Sequence, residues 1–274
     1  MATTLTPDRL TDAYMAQVTS VRDRVLAYAS AMWIGAPQLR DEDIDRLVSR
    51  IVPAVRGGQV QVATITNAYI ERLAALDGVA VARVAIDAST VIDYRGVPAE
   101  EVYRRPAVAT YAALGAGKPF EAARKEGLNR LRSIVSTDIQ QTRNRQARAA
   151  YSESGFDYTL RVLSGAENCA LCVIASTQRY LAKDLQPMHP GCDCGQRGIR
   201  ATQDPGQIID SDLLELTHAA VEAKVGATDR SAHLLTGENP VSDFLDLIVT
   251  REHGELGPTL TWRTDRFTGP SDLH

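Results

Sequence analysis

The sequence has no continuous apolar run of about 18 residues, the length that a membrane-spanning helix requires. Its first residues, MATTLTPDRLTDAYM, also lack the basic start and the following apolar stretch of a secretory signal peptide. Neither of the usual signals for export or membrane anchoring is therefore present. We expect a soluble, unexported protein with no membrane span.

Aromatic residues are scarce, at 5% of the chain, and the formal net charge is -4. A negative balance argues against binding nucleic acid over the whole surface, although it is compatible with a local basic face. Apolar residues at 44% and charged residues at 23% are ordinary for a globular protein of 274 residues. Few aromatics and plentiful alanine favour helices over sheets.

The common catalytic motifs are missing as well. There is no G-x-S-x-G nucleophile elbow and no H-E-x-x-H metalloprotease motif, and residues 115–119 lack the first glycine and the final Ser or Thr of a phosphate-binding loop. No spacing singles out a nucleophile with its base among the serines and histidines of the C-terminal third, which include Ser211, His218, Ser231, His233, Ser242, His253 and His274. We assign no catalytic residue, and the sequence favours a non-enzymatic role.

Residues 1–155 have the pattern of a helical domain. A first helix should start with Thr6 as N-cap and Pro7 in the first turn, and should end near Gly35. An apolar stripe along it predicts packing into a helical core, with a coiled coil to a partner as the alternative; its residues are Tyr14, Val18, Val21, Val25, Tyr28 and Met32.

Further helices are predicted along the same domain. One helical stretch begins near Asp41, and Pro53 with Gly57-Gly58 predicts a break in it before the pattern resumes over 60–76. Two more helices are predicted over 98–113 and 119–154. Before these two helices, residues 78–98 fit either a short strand or a helix.

The pattern changes after residue 155. Residues 158–163 alternate in polarity, which predicts a strand leading into a cysteine cluster, and residues 196–200 are its predicted partner. We predict a small α+β module over 156–202. From 203 to 274 we predict a helical region, with helices over 208–225 and 240–249, followed by a loosely structured tail from Gly254. The predicted fold class is mainly α, with a small zinc-stabilised α+β module after a helical N-terminal domain.

The cysteines point to a metal site in that module. All four lie close together in the pattern C-x2-C-x16-H-x2-C-x-C, whose members are Cys169, Cys172, His189, Cys192 and Cys194. Zn²⁺ prefers tetrahedral thiolate and imidazole ligands, and clustered cysteines in a reducing compartment are typical of metal binding. Because the chain is long enough to build its own core, disulfides are not needed to stabilise it. We predict a structural zinc ion.

Several alternatives stay open for this cluster. Five candidates compete for four positions, so that Cys169, Cys172 and Cys192 are completed by either His189 or Cys194. A pair of disulfides or a redox C-x-x-C is the main rival, although the βαβ context of a redox motif is missing. A catalytic zinc fits less well, because a sulfur-rich cluster can close its own shell.

The string V-L-S-G-A-E-N-C-A-L-C followed by M-H-P-G-C-D-C, after a long arginine-bearing helix, resembles the MuF-like minor head proteins of tailed bacteriophages. The matched positions are Cys169, Cys172, His189, Pro190, Cys192 and Cys194, and the similarity is specific over about residues 120–200. Asp193 stands where the family usually has an arginine or a similar residue. This difference bears on any basic role of that position and leaves the metal ligands unchanged.

The resemblance implies a minor capsid protein inside the virion or procapsid, near the portal, which is made in the host cytoplasm during assembly. Its partners would be the phage portal and the major capsid protein, and its roles head assembly and DNA packaging or delivery. Related phage proteins are labelled capsid maturation proteases, which is the first alternative. A DNA-associated zinc protein of non-virion origin is the second.

The predicted helix over 121–148 carries an excess of basic residues. Its seven basic residues are Arg124, Lys125, Arg130, Arg132, Arg143, Arg145 and Arg148, against three acidic ones, Glu121, Glu126 and Asp138. Such a face could contact packaged DNA through phosphates, without sequence specificity. The alternative is a solvated helix face with intrahelical ion pairs.

Overall fold

The computed structural model describes residues 5–36, 38–163, 172, 175–176, 179–184, 194–204, 248–253, 255 and 257–262. The described helices are α1 (Pro7–Gly35), α2 (Asp41–Asp77), α3 (Ala99–Gly115) and α4 (Phe120–Ser152). The described strands are β1 (Tyr158–Val162), β2 (Arg179–Leu181), β3 (Gly195–Ile199), β4 (Ile248–His253) and β5 (Gly257–Trp262). A π-helical turn covers Ala88–Ile92, and 3-10 turns cover Ala182–Asp184 and Ala201–Gln203.

Helix α1 starts as predicted. The side chain of Thr6 accepts a hydrogen bond from the backbone N–H of Arg9, and Pro7 occupies the first turn. The predicted stripe is buried from Tyr14 to Val25, but Tyr28 is 41% exposed and the core continues through Ala29 and Trp33 instead. A strict seven-residue stripe drifts around a straight helix, so the buried face moves off the predicted positions. The burial favours the helical-core interpretation.

Helix α2 is continuous, so the predicted break at Pro53 and Gly57-Gly58 is wrong. Pro53 is exposed and lies within the helix, where the buried apolar face of α2 outweighs the lost hydrogen bond. Gly58 is buried, and a Cβ there would lie 2.7 Å from Cγ2 of Val25 and 3.1 Å from Cδ1 of Ile139. This glycine permits close helix packing and does not break the helix.

The middle of α4 is buried on all sides. Every residue from Thr137 to Asn144 is buried, and most of them are polar. Such a segment is stable only if its polar groups are hydrogen-bonded within the fold. One example is Thr142, whose hydroxyl donates to the carbonyl of Val91 and accepts from the amide of Gln59.

Asp138, a residue of α4, binds the segment that precedes α3. Its Oδ1 accepts hydrogen bonds from the hydroxyl of Tyr94 at 2.8 Å and from the guanidinium of Arg95 at 2.6 Å and 2.9 Å, while Oδ2 accepts from Tyr103. Because Arg95 and Asp138 are both nearly buried, this ion pair is well shielded from solvent. The segment over 78–98, which the sequence left open, thus forms neither a regular helix nor a regular strand along most of its length, apart from the π-helical turn and a bridge at Val81.

The chain divides into two compact units. The first comprises Met1–Glu71 and Arg83–Ala147, and the second comprises Arg72–Ala82 and Arg148–His274. The second unit contains a three-stranded antiparallel sheet with strand order β2-β1-β3. The predicted pairing of β1 with β3 is confirmed, with Tyr158 opposite Ile199. Strand β2, which is only three residues long, is not among the predictions from sequence.

Strands β4 and β5 pair as an antiparallel hairpin, in which Ile248 lies opposite Trp262. This hairpin corrects two predictions: Ile248 and Val249 are not helical, and the chain after Gly254 is not loosely structured throughout. The alternation in T-L-T-W supports a strand, although the Gly, Pro and Thr content had suggested a tail. The helix predicted over 208–225 lies outside the described residues.

The described part of the chain is mainly helical with a small three-stranded sheet, as the fold class predicts. In this part, no helix combines enough length with enough hydropathy to cross a membrane.

Candidate metal centre

One face of the three-stranded sheet leads to Cys194. Side chains alternate between the two faces of a strand, so Thr159 and Arg161 of β1 share a face with Tyr180, which pairs with Thr159. Across the other edge of β1, Gln196 pairs with Arg161, and Cys194 lies two residues earlier. On β1 it is this face, with Thr159 and Arg161, that is buried, while Tyr158, Leu160 and Val162 on the opposite face are only partly buried.

Cys172 and Cys194 are both deeply buried in the second unit. Each is 1% exposed, and each has a free thiol. Both sulfurs act electrostatically on the hydroxyl of Tyr180. Burial is the main cause that raises the pKa of this tyrosine, the charge of Arg161 opposes the rise, and Cys194 and Cys172 add to it. One cysteine from each half of the predicted motif therefore influences the same tyrosine.

Arg161 is the cation of this cluster. Its side chain is 3% exposed, and Nη1 donates a hydrogen bond to Sγ of Cys194 at 3.6 Å. Its guanidinium carbon also lies 5.2 Å from the ring centroid of Tyr180, within the range of a cation–π contact. A charge removed from water is costly unless an anionic or strongly polar partner compensates it, and a thiolate is such a partner.

Tyr151, near the end of α4, holds the strand that follows Cys194. Its hydroxyl accepts a hydrogen bond from the amide of Gly198 at 3.0 Å and donates to the carbonyl of Gln196 at 3.4 Å. A Cβ at Gly198 would lie 2.7 Å from atoms of both Tyr151 and Phe156. Glycine at this position lets the two rings pack directly on β3.

The described cysteine pair fits half of a structural zinc site. Its two sulfurs are buried and form no disulfide, and the cation next to Cys194 can offset the charge of a thiolate ligand. The other predicted ligands, Cys169, His189 and Cys192, lie outside the described residues. Within the described ranges, no three His, Cys, Asp or Glu side chains converge on a metal position. The choice between His189 and Cys194 therefore stays a prediction.

Several members of the predicted basic face are engaged inside the first unit. Nη2 of Arg124 donates to three carbonyls at the end of α1, those of Trp33, Ile34 and Ala36, at 2.6 to 2.9 Å. This arrangement caps the helix and complements its dipole.

Other arginines of α4 have similar internal contacts. Arg143 is buried with Nη1 3.9 Å from Sδ of Met15, and Arg145 donates to the carbonyl of Thr90. Arg132 is exposed but bonds to Ser30. Lys125, Arg130 and Arg148 are also exposed, so the basic face is smaller than the sequence predicts.

Two residues of the centre were not identified from the sequence. Arg161 and Tyr180 carry no motif of their own, and only strand alternation places Arg161 on the face that leads to Cys194.

Comparisons of the chain with protein-family models, with curated proteins and with solved structures find no match.

Proposed function

We propose that residues 156–202 form a zinc-binding module whose four ligands come from the cysteine cluster, with Cys172 as one of them. The observation that carries this proposal is the burial of both free thiols, with Sγ of Cys194 hydrogen-bonded to Arg161. Cys169 and Cys192 would supply two more sulfurs, with His189 as the competitor of Cys194. The ion would act structurally, by tying the two halves of the cysteine-rich segment together in a module too small to build a large core.

We further propose that the chain is a MuF-like minor capsid protein of a tailed phage, inside the head and near the portal. The support is the resemblance of the cysteine motif together with its setting, a long helix α4 followed by β1 and the cluster. The protein would contact the portal and the major capsid protein and would help head assembly and DNA packaging or delivery.

Contact with packaged DNA is a narrower part of the proposal. It would involve the exposed basic residues of α4, Lys125, Arg130, Arg132 and Arg148. Phosphate contacts of this kind are independent of base sequence and weaken as salt rises. The buried Arg143 takes no part in it.

The test is co-sedimentation of the full chain with procapsids that contain the portal and major capsid protein of the same phage. We expect the wild-type chain to sediment with them and to leave the capsid protein uncleaved. A Cys172→Ser variant should lose association because its module loses the ion, whereas Ser152→Ala, at the exposed end of α4, should keep it.

Two other results would replace this function. Cleavage of the capsid protein that one Ser or His substitution abolishes would indicate a capsid maturation protease. Steeply salt-dependent binding to DNA without association with procapsids would indicate a DNA-associated zinc protein.

A further inference from the structure

We propose that the outer side of α3 is a self-association surface, through which two copies of the chain pair as an antiparallel dimer with two-fold symmetry. The surface is a stripe of six exposed residues, which we call the α3 stripe: Glu101, Arg104, Val108, Tyr111, Gly115 and Lys118. It lies in the first unit and contains no residue of the cysteine cluster.

Helix α3 is apolar on two sides. Its inner side is buried and consists of Val102, Tyr103, Pro106, Ala107, Thr110 and Ala113. On the outer side, Val108 is 63% exposed and Tyr111 is 47% exposed, with the exposed Ala112 beside them. A surface helix normally turns charged and polar residues outward, whereas a helix that is apolar all round is usually buried. The outer side of α3 therefore has the composition of a surface that packs against a second protein surface.

The spacing of the α3 stripe is that of a helix–helix seam. Its positions from Glu101 to Gly115 step by 3, 4, 3 and 4 residues, which is the repeat that keeps side chains facing a partner helix. Lys118 follows three residues later and stays tied to the helix end, because its backbone N–H donates to the carbonyl of Ala113. The stripe thus forms one continuous line along the helix and its cap.

An antiparallel pair of such helices matches the α3 stripe to itself. If Val108 lies opposite Tyr111 of the second copy, the same register places Arg104 opposite Gly115 and Glu101 opposite Lys118. Two-fold symmetry repeats each of these pairs, so that the same surface serves on both copies. Every position of the stripe then meets another position of the stripe.

The charges favour a second copy in this orientation. Glu101 meets the opposite charge of Lys118, whereas a parallel pair would bring each of these residues against its own like charge. Arg104 comes to the C-terminal end of the other α3, whose last turn has no basic residue of its own. A cation at that end complements the helix dipole. Among the described residues, nothing lies within 4 Å of the position of a Cβ at Gly115, so the arginine has room there.

The central tyrosine is held in place before any partner binds. The hydroxyl of Tyr111 donates to the carbonyl of Leu39, in the connection between α1 and α2, while much of its ring stays exposed. Arg104 is likewise bound to Asp45 of α2. Side chains that are already ordered lose less conformational entropy on association, which favours their use as anchors.

The first test is sedimentation equilibrium of the full chain. Because the helical seam from Glu101 to Gly115 is only about 21 Å long, we expect a small interface and a micromolar dissociation constant. Val108→Asp should raise this constant about 10- to 100-fold. The matched control is Val60→Asp, at a 47% exposed position of α2, which should leave it unchanged. A wild-type chain that stays monomeric up to about 0.5 mM, or that forms assemblies larger than a dimer, would overturn the proposal. So would equal effects of the two substitutions.

The second test reverses the charges at the ends of the α3 stripe. Glu101→Lys and Lys118→Glu should each weaken the dimer about 10-fold, because like charges then face each other twice. The double variant should return to within about threefold of the wild type. It does not restore the ion pair that Lys118 forms with Glu126 in its own chain, so the recovery has to come from contacts between copies. A double variant as weak as the single ones would overturn the antiparallel pairing. This set also decides the question if Val108→Asp fails to fold.

Discussion

The hydroxyl of Tyr103, on α3, donates a 2.8 Å hydrogen bond to Oδ2 of Asp138 in the buried middle of α4. With Tyr94 and Arg95 on the other carboxylate oxygen, Asp138 holds together three separate parts of the first unit. The network has no counterpart among the predictions from sequence, which counted Asp138 only as an acidic residue on a basic helix face.

Replacing Asp138 by Ala should lower the free energy of unfolding by about 3 kcal/mol, because Arg95 is left nearly buried without its carboxylate. Urea denaturation of the first unit measures this change. The control is Asp45→Ala, whose partner Arg104 is about half exposed and whose loss should cost less than about 1 kcal/mol. Equal effects of the two substitutions would show that the Asp138 network adds no stability of its own.

Alkaline pH should destabilise the same unit. Burial, reinforced by the charge of Asp138, raises the pKa of Tyr94 and Tyr103 well above the ordinary value of 10.0. Because of these raised pKa values, the unfolded chain loses the two hydroxyl protons at lower pH than the folded chain does. The two tyrosines therefore contribute fully to the free energy of unfolding below pH 10, and this contribution is lost as pH rises toward the folded pKa. The free energy of unfolding should fall by about 1.4 kcal/mol per pH unit for each tyrosine.

This pH dependence can be followed by urea denaturation at successive pH values, with tyrosinate absorbance recorded in parallel. Tyr103→Phe should reduce the slope above pH 10. Complete ionisation of every tyrosine near pH 10 in a chain that stays folded would contradict the burial of these hydroxyls.

Gly127 and Gly57 should respond in opposite directions to substitution by alanine. A Cβ at Gly127 would lie 2.2 Å from Oγ1 of Thr110 and 2.8 Å from the carbonyl oxygen of Pro106, so Gly127→Ala should destabilise by about 2 kcal/mol through overpacking. No atom lies within 4 Å of the corresponding position at Gly57, and Gly57→Ala should stabilise α2 by about 0.5–1 kcal/mol. Thermal unfolding of both variants checks the prediction, and a stabilised Gly127→Ala would refute the close packing.

Tyr151→Phe should loosen β3. It removes the acceptor of the buried Gly198 amide and should cost about 1–3 kcal/mol. Hydrogen exchange at that amide should become faster, whereas Tyr28→Phe, on an exposed side chain, should leave it unchanged. Unaltered protection of Gly198 in Tyr151→Phe would mean that the hydroxyl is not needed to hold the strand.

Local signals predicted much of the fold. The cap at Thr6 and Pro7 set the start of α1, and the alternation after residue 157 located β1 and its pairing with β3. These features depend on neighbouring residues, so a single sequence contains them.

The features that the sequence did not predict depend on tertiary contacts. In the sequence, Gly58 resembles a helix breaker. The structure shows instead that the side chains of Val25 and Ile139 pack closely against it. Alternation in β1 had the expected period, yet the side that is more deeply buried carries Thr159 and Arg161 and not the apolar residues. A charged residue is normally placed in solvent, whereas Arg161 is buried against Sγ of Cys194 and the ring of Tyr180.

The candidate site could be predicted as a set of ligands but not as an arrangement. Spacing alone named the cysteines and His189, since C-x-x-C and C-x-C halves are typical of zinc sites. The sequence alone does not show that Cys172 and Cys194 are buried or that both influence Tyr180; these features are seen only in the folded chain. Similarly, the arginine count of α4 predicted a basic face, while Arg124 and Arg143 bond within the first unit.

The most direct measurement is the zinc content of the full chain, purified without chelator under reducing conditions, by elemental analysis with a parallel count of reactive thiols. The account predicts one zinc ion per chain, thiols that react only after the ion is removed, and loss of the ion in Cys172→Ser. A well-folded, reduced chain that contains no zinc and whose thiols react at once would contradict it.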